Sequence, residues 1–290
     1  MPSYFVTGAA RGIGFAFLDK LSSDPANTVV GLVRNKADTE AKISKAGWNR
    51  PNVHIVQGDL NEHKTLKLAA ETTSQITGGS LDCLIANAAY LPSEYMVDPL
   101  SVLGADPAKL ETEMHKFFQT NCIGNIHLFN FFIPLILKGN LKKVISITSG
   151  MADVELVRSY DIFEGGPYAI SKAAMNVATA KFAAEYAKDG VLFLSVCPGF
   201  VDTGYEDSGK LCCAVLLAQD FSTDVTIASE RVQQQLTAML GKFQRYAPHF
   251  AGLAAPEDAV KDVLSVVEKA SIANGDSGAY LSHSGTKQWV

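Results

Sequence analysis

The sequence predicts an α/β fold, a doubly wound parallel sheet of about seven strands with helices on both faces. Three observations carry that prediction. Short runs of near-continuous Val, Ile and Leu recur along the chain, as strands covered on both faces require. Longer helical patterns separate them, which implies right-handed crossovers between parallel neighbours. A glycine-rich turn, "TGAARGIG", follows the first run and opens the first helix.

The strands are expected at Ser3–Thr7, Thr28–Val33, Val53–Val56, Leu81–Ala86, Val144–Ile147, Val191–Val196 and Ala279–Ser282. Helices are expected to start near Gly12, Lys36, Glu62, Pro107 and Tyr168, with more around Thr223 and Pro256. No repeat, low-complexity segment or Gly/Ser/Pro linker divides the chain, so residues 1–290 are expected to form a single Rossmann-like domain. Two stretches interrupt the rhythm, Tyr90–Asp106 and Gly204–Ala255. Such stretches at the carboxyl ends of strands are where these folds bind ligands, so 204–255 is the expected substrate-binding region.

Composition narrows the function. The chain is 47% hydrophobic and 19% charged, which suits a substantial core. A net charge of -5 without any Lys/Arg block argues against a nucleic-acid partner. No apolar run approaches the roughly 20 residues that span a bilayer. The most apolar window, Ile126–Leu137, is broken by Asn130 and Pro134, and no membrane partner is expected. The five cysteines include no CxxC pair, a usage that fits a reducing compartment. With a strand-like run at the start and no charged leader, a cytoplasmic location is expected. The six histidines lack metal-ligand spacing, so no metal is expected, and His127 reads as a packed core residue.

Gly8, Gly12 and Gly14 have the spacing GxxxGxG. Glycines there allow a sharp turn and a close approach of backbone to a pyrophosphate at a helix N-terminus. A fold that binds NAD usually has an acid about 20 residues further on, at the second strand's end. Here that strand ends "VVGLVRN", with Arg34 instead of an acid, and Arg11 lies inside the turn. A guanidinium forks onto phosphate and keeps its charge. NADP(H) is therefore favoured over NAD(H), against the plainer reading of Arg34 as a solvated strand-end charge.

"FEGGPYAISKAAM" places Tyr168 and Lys172 four residues apart at a helix start, on one helix face. A free phenol has a pKa near 10 and exchanges protons poorly at neutral pH. A fixed ammonium close by favours the phenolate. Taken by themselves, the two residues also fit a solvated surface pair on an Ala-rich helix.

Four motifs in this order resemble the short-chain dehydrogenase/reductase family: "TGAARGIG", "LIANAA", "YAISK" and "CPGFVDT". The resemblance covers nearly the whole chain, and the two chain ends resemble fungal ketoreductases of the norsolorinic acid ketoreductase type. It implies that Tyr168 is the proton donor to a carbonyl oxygen and that Lys172 binds the nicotinamide ribose and lowers the tyrosine pKa. Ser149 would hydrogen-bond the substrate oxygen, and Asn121 would hold a water linking Lys172 to solvent. Gly8, Arg11, Gly12, Ile13 and Gly14 would form the cofactor turn, with Arg34 on the 2′-phosphate. Asp59 and Leu60 would border the adenine, Asn87 and Ala88 its ribose, and Pro198, Gly199, Val201 and Thr203 the nicotinamide.

There are departures. Ala89 replaces a usual glycine, and Ala10 replaces a common hydroxyl residue, which removes one bond to the 2′-phosphate. Ser149 and Tyr168 are further apart than in most members, so "VRSYDIFEGG" must loop out, and Thr148 and Ser146 stand as alternative hydroxyls. Alternation along the strand favours Ser149 at its end. His283 and Trp289 are candidates for the pocket edge. The eight alanines between Tyr168 and Lys188, with the family's helix packing, imply a homodimer or homotetramer. The function so implied is NADP(H)-dependent reduction of a small-molecule ketone or aldehyde, or the reverse oxidation of an alcohol. The alternatives are a non-catalytic NADP(H)-binding regulatory or scaffold protein and an NAD-dependent alcohol dehydrogenase. A sugar-nucleotide epimerase or dehydratase is disfavoured by the glycine spacing.

Overall fold

The central strands are apolar runs buried on both faces, while the edge strands β3 and β7 are only partly buried. The strands are β1 (Ser3–Thr7), β2 (Thr28–Val33), β3 (Val53–Gln57), β4 (Cys83–Ala86), β5 (Lys143–Ile147), β6 (Leu192–Cys197) and β7 (Tyr280–Ser282). They form one seven-stranded sheet in the order β3-β2-β1-β4-β5-β6-β7, parallel throughout. The strand order reverses between β1 and β4, where Phe5 pairs with Leu84 on one side and Val30 on the other. The computed structural model describes residues 1–92, 95, 98–203 and 227–290, and side chains of 227–233 lie outside that description. The helix expected near Thr223 and part of the expected substrate-binding region, 204–226, lie outside the described residues. So do 93–94 and 96–97 of the Tyr90–Asp106 stretch.

The helices are α1 (Gly12–Ser22), α2 (Lys36–Lys45), α3 (His63–Ile76), α4 (Leu100–Leu103), α5 (Pro107–Phe118) and α6 (Gly124–Ile136). They continue with α7 (Val154–Tyr160), α8 (Gly166–Glu185), α9 (Ile227–Tyr246) and α10 (Pro256–Lys269). Local chemistry accounts for several starts. Asn35 caps α2 by accepting from Asp38 N, and Asp106 caps α5 by accepting from Lys109 N at 3.1 Å, with Pro107 following. The two residues that interrupt the apolar window Ile126–Leu137 both lie within α6. Asn130 turns its amide onto Ile126 O at 2.9 Å. Pro134 falls in the last turn, and burial of Leu128, Phe129, Phe132, Ile133 and Ile136 outweighs the one backbone bond that a proline forfeits.

Each face of the sheet has its own core. Phe5, Leu84, Phe132 and Phe193 pack beneath α3, α6 and α8, with Phe5 and Phe132 ring centres 4.2 Å apart. Val6, Phe17, Ile85, Val260 and Val263 pack beneath α1 and α10. A third cluster joins α7, α9 and the C-terminal residues through Leu156, Leu236, Met239, Phe243 and Trp289. No helix among the described residues is long and apolar enough to cross a membrane.

Candidate active site

A cleft of about 550 Å³ opens at the carboxyl ends of the strands, where the sheet order reverses. One wall is the glycine turn. Gly8 and Gly12 have φ of +69° and +52°, a region that disfavours any Cβ. Gly14 serves packing rather than turning: a Cβ there would lie 2.2 Å from the carbonyl oxygen of Gly8. Arg11 sits in extended conformation at the N-cap of α1 and provides no side-chain cap, and the first turn holds no acid. Uncapped N–H groups and the positive end of the helix dipole therefore stand at the cleft wall formed by Gly12 and Ile13.

The neighbouring strand end is tied to this turn. Thr7 Oγ1 accepts from Asn87 N at 3.0 Å and Ala88 N at 2.9 Å, and Asn87 Nδ2 donates to Thr7 O at 3.0 Å. Asn87 and Ala88 thereby join Gly8 along the cleft. Thr7 was not singled out from sequence, although it is the hydroxyl residue that opens the glycine turn. Asp59 and Leu60 line the same cavity. Leu60 is pressed against α6, where a Cβ on Gly124 would stand 2.4 Å from Leu60 O.

Arg11 and Arg34 both line the cavity and both are exposed. A third cation, missed in the sequence, stands beside them: Lys42 of α2 donates to Ala10 O at 3.3 Å and lies 4.2 Å from the centre of the Phe15 ring. Its place depends on how α2 packs over the turn, and no motif marks it.

At the other end of the cleft, Tyr168 and Lys172 share one face of α8. Tyr168 is half-buried and lines the cavity. Lys172 is 3% exposed, donates to Ile147 O at 2.7 Å, and has its ammonium 5.7 Å from the centre of the Tyr168 ring. Burial pulls the Lys172 ammonium down to about 8, with Cys197 acting the other way. The pair is therefore not a solvated surface contact.

Ser149 follows β5 and caps a single 3-10 turn, Gly150–Ala152, its hydroxyl accepting from Met151 N at 3.3 Å. That bond leaves the hydroxyl hydrogen available to an incoming acceptor. Thr148 belongs to the cavity wall, and its buried hydroxyl has no partner among the described residues. Ser146 is buried within β5. The residues between Ser149 and Tyr168 do loop out, as α7 capped by Asp153.

Asn121 occupies a π-helical turn, Gln119–Ile123, between α5 and α6, a distortion common at functional sites. It is fully buried. Its Oδ1 accepts from Tyr90 N at 2.6 Å, and its Nδ2 donates to Tyr90 O and to Ser171 Oγ, each at 3.0 Å. The amide thus clamps Tyr90, a cleft residue that the motifs did not mark. For the expected water, Asn121 offers its backbone carbonyl, which already accepts from Asn125 Nδ2 at 3.0 Å.

Pro198 and Thr203 line the cleft, and Thr203 closes over Gly12. Gly199 (φ +85°) is backed by the His283 ring, and Val201 pairs with Ala254 in a parallel bridge. Gly14, Asn121, Ser149, Gly199 and Val201 stand behind or beside the cavity wall rather than in it. Trp289 is 2% exposed and stacks on Tyr280, so it is a buried support and not an edge of the pocket.

A doubly wound parallel sheet with a glycine turn, flanking cations and a tyrosine–lysine pair at its carboxyl edge defines a class, the dinucleotide-binding α/β proteins. The family model described as short chain dehydrogenase matches residues 3–211, and the chain belongs to that family. It is 46% identical over 290 residues to the short chain dehydrogenase virK of Hypocrea virens and 44% identical over 292 residues to the short-chain dehydrogenase/reductase iacC of Pestalotiopsis fici, with 100% of each chain covered in both cases. Among solved structures it is similar to an NADPH-bound carbonyl reductase from chicken fatty liver, with a TM-score of 0.72 and 22% identity over 99% of this chain and 98% of the other.

Proposed function

We propose that this protein is an NADP(H)-dependent carbonyl reductase acting on a small ketone or aldehyde. The observation that carries the reading is the buried Lys172 ammonium, held by Ile147 O behind Tyr168. Positive charge in a desolvated place favours the phenolate of a neighbouring tyrosine, which makes Tyr168 a usable proton donor. Tyr168 Oη gives its proton to the carbonyl oxygen as that oxygen gains electrons, and Lys172 stabilises the phenolate left behind. Ser149 donates its hydroxyl hydrogen to the same oxygen, an interaction that strengthens as charge develops.

The cleft fits the cofactor. The uncapped start of α1 suits a pyrophosphate. Arg11 and Arg34, with Lys42 nearby, suit a 2′-phosphate, and Lys42 compensates for the hydroxyl that Ala10 lacks. Asp59 and Leu60 would border the adenine, Asn87 and Ala88 its ribose, Lys172 and Tyr168 the nicotinamide ribose, and Pro198, Gly199, Val201 and Thr203 the nicotinamide. The chemistry that NADPH supplies when bound is a hydride for the carbonyl carbon. The carbonyl reductases among the similar structures, one of them NADPH-bound, support the same choice.

Substrate selection is assigned to 204–255 within a single domain of residues 1–290. Self-association is assigned to the α8 face, where Ile170 and Val177 are exposed. Buried free thiols at Cys83, Cys122 and Cys197 support a reducing, cytoplasmic setting.

The test is a panel of aromatic aldehydes, ketones and quinones incubated with NADPH and with NADH, following cofactor absorbance. Tyr168→Phe should lower kcat by at least about a hundredfold while NADPH binding, read by fluorescence, stays within a few fold. Arg34→Ala should raise KM for NADPH far more than for NADH. Parent-like turnover by the phenylalanine variant removes the proposed acid, and equal effects on both cofactors remove the 2′-phosphate assignment.

A further inference from the structure

The loop that presents Ser149 is held at both ends by one segment from the far end of the chain. Tyr280 Oη donates to Ser149 O. Four residues later, Asp153 Oδ2 accepts from Trp289 Nε1 at 3.0 Å, while Asp153 Oδ1 caps α7 through Glu155 N at 2.8 Å. Tyr280 and Trp289 stack on each other, ring centres 4.2 Å apart and planes 20° from parallel. Between the two anchor points, Gly150 lies against Trp289 so closely that a Cβ would stand 2.4 Å from the tryptophan Cβ. Gly150 N donates to Cys197 Sγ at 3.1 Å.

Trp289 is itself held in place by backbone and side-chain bonds. Its N–H donates to Tyr246 Oη at 3.0 Å, and Tyr246 Oη in turn donates to Lys287 O at 2.7 Å. The side chain is 2% exposed. Burial pushes the Tyr280 phenol up, so it stands as a neutral donor. The grip falls on the backbone of Ser149, whose hydroxyl is the proposed partner of the substrate oxygen. Displacing such a group by about 1 Å can cost up to a hundredfold in rate.

We propose that Tyr280 and Trp289 are positioning residues: the C-terminal segment acts as a brace that fixes the Ser149 hydroxyl relative to Tyr168. This rests on the reading of Ser149 as the hydroxyl that meets the substrate oxygen. Tyr280 bonds the Ser149 backbone and Trp289 bonds Asp153, so the brace acts through the loop.

The test compares Tyr280→Phe, Trp289→Phe and Ser149→Ala, singly and as the two double variants with Ser149→Ala. Substrate is whichever aldehyde or ketone of the panel the parent reduces fastest. Three readouts are kcat and KM, NADPH affinity by fluorescence, and Tm. Tyr280→Phe and Trp289→Phe should each lower kcat about tenfold or more, with KM and affinity for NADPH within twofold of the parent. Neither should lower kcat further in the Ser149→Ala background, because the group they position is gone. Tyr280→Phe deletes a single hydroxyl from a stacked ring, so it carries the test if Trp289→Phe folds poorly. Parent-like kcat in the aromatic variants, or an equal loss with and without Ser149, overturns the brace. Parent-like turnover in Ser149→Ala overturns the Ser149 assignment itself, and the brace with it.

Discussion

Asp82 and Lys172 are 4% and 3% exposed, and they sit at opposite ends of the same sheet. Asp82, before β4, accepts from Ser3 N at 2.8 Å, Ser3 Oγ at 3.0 Å, Asn140 N at 2.7 Å and Leu141 N at 3.2 Å. Burial pushes its carboxyl up, but the bonds from Asn140, Ser3 and Leu141 together outweigh burial and hold it below the usual range. Lys172, beyond β5, has one acceptor among the described residues, Ile147 O at 2.7 Å. There burial wins and the ammonium falls to about 8. A buried charge with every lone pair engaged is a tie between β1, β4 and the start of β5. A buried charge with one partner is poised to change state near working pH, and perturbed groups in clefts mark functional sites.

Breaking the two charges should have opposite signatures. Lys172→Met should lower kcat by about a hundredfold or more while leaving Tm no lower than the parent's, because it deletes a poorly satisfied buried ammonium. Asp82→Asn should do the reverse. It leaves donors facing a neutral amide at a place that needs an acceptor four times over, and should cost about 2 to 3 kcal/mol in denaturant unfolding with kcat unchanged. If both variants lose stability alike and keep activity, the contrast fails.

The pH dependence sharpens the same contrast with a smaller effect. The rate of carbonyl reduction should fall as pH rises through about 8, where Lys172 loses its proton in the folded state, by about tenfold per further pH unit. The folded value lies below the 10.5 of free lysine, so the unfolded chain binds more protons between the two values. Stability from this group therefore rises with pH across the window in which activity falls. Asp82 contributes with the same sign but in an acid window. Its contribution is present above the ordinary carboxylate range and is lost as pH falls through its lowered folded value, which urea unfolding at acid pH reads directly. A pH–rate profile flat between pH 7 and 10 would detach Lys172 from the chemistry.

Local signals in the chain determined the parallel sheet, the glycine turn at Gly8 and Gly12, the starts of α2 and α5 near Lys36 and Pro107, and the shared face of Tyr168 and Lys172. Each is set by backbone sterics or periodicity over a few residues, so each was legible without the fold. The polar Asn130 and the proline Pro134 that interrupt the apolar window are both accommodated inside α6, whose buried apolar face outweighs them. What only the tertiary structure decided is the company each functional residue keeps. Lys172 meets Ile147 across 25 residues, Asn121 meets Ser171 across 50, Thr7 meets Ala88 across 81, and Trp289 meets Asp153 across 136. Lys42 joins the cations of the turn only because α2 folds back over it. Such pairings leave no periodic trace in the sequence. They arise when parallel strands bring distant segments to one edge of a sheet, and burial at that edge, not the four-residue spacing, turns an ordinary lysine into one that titrates near 8.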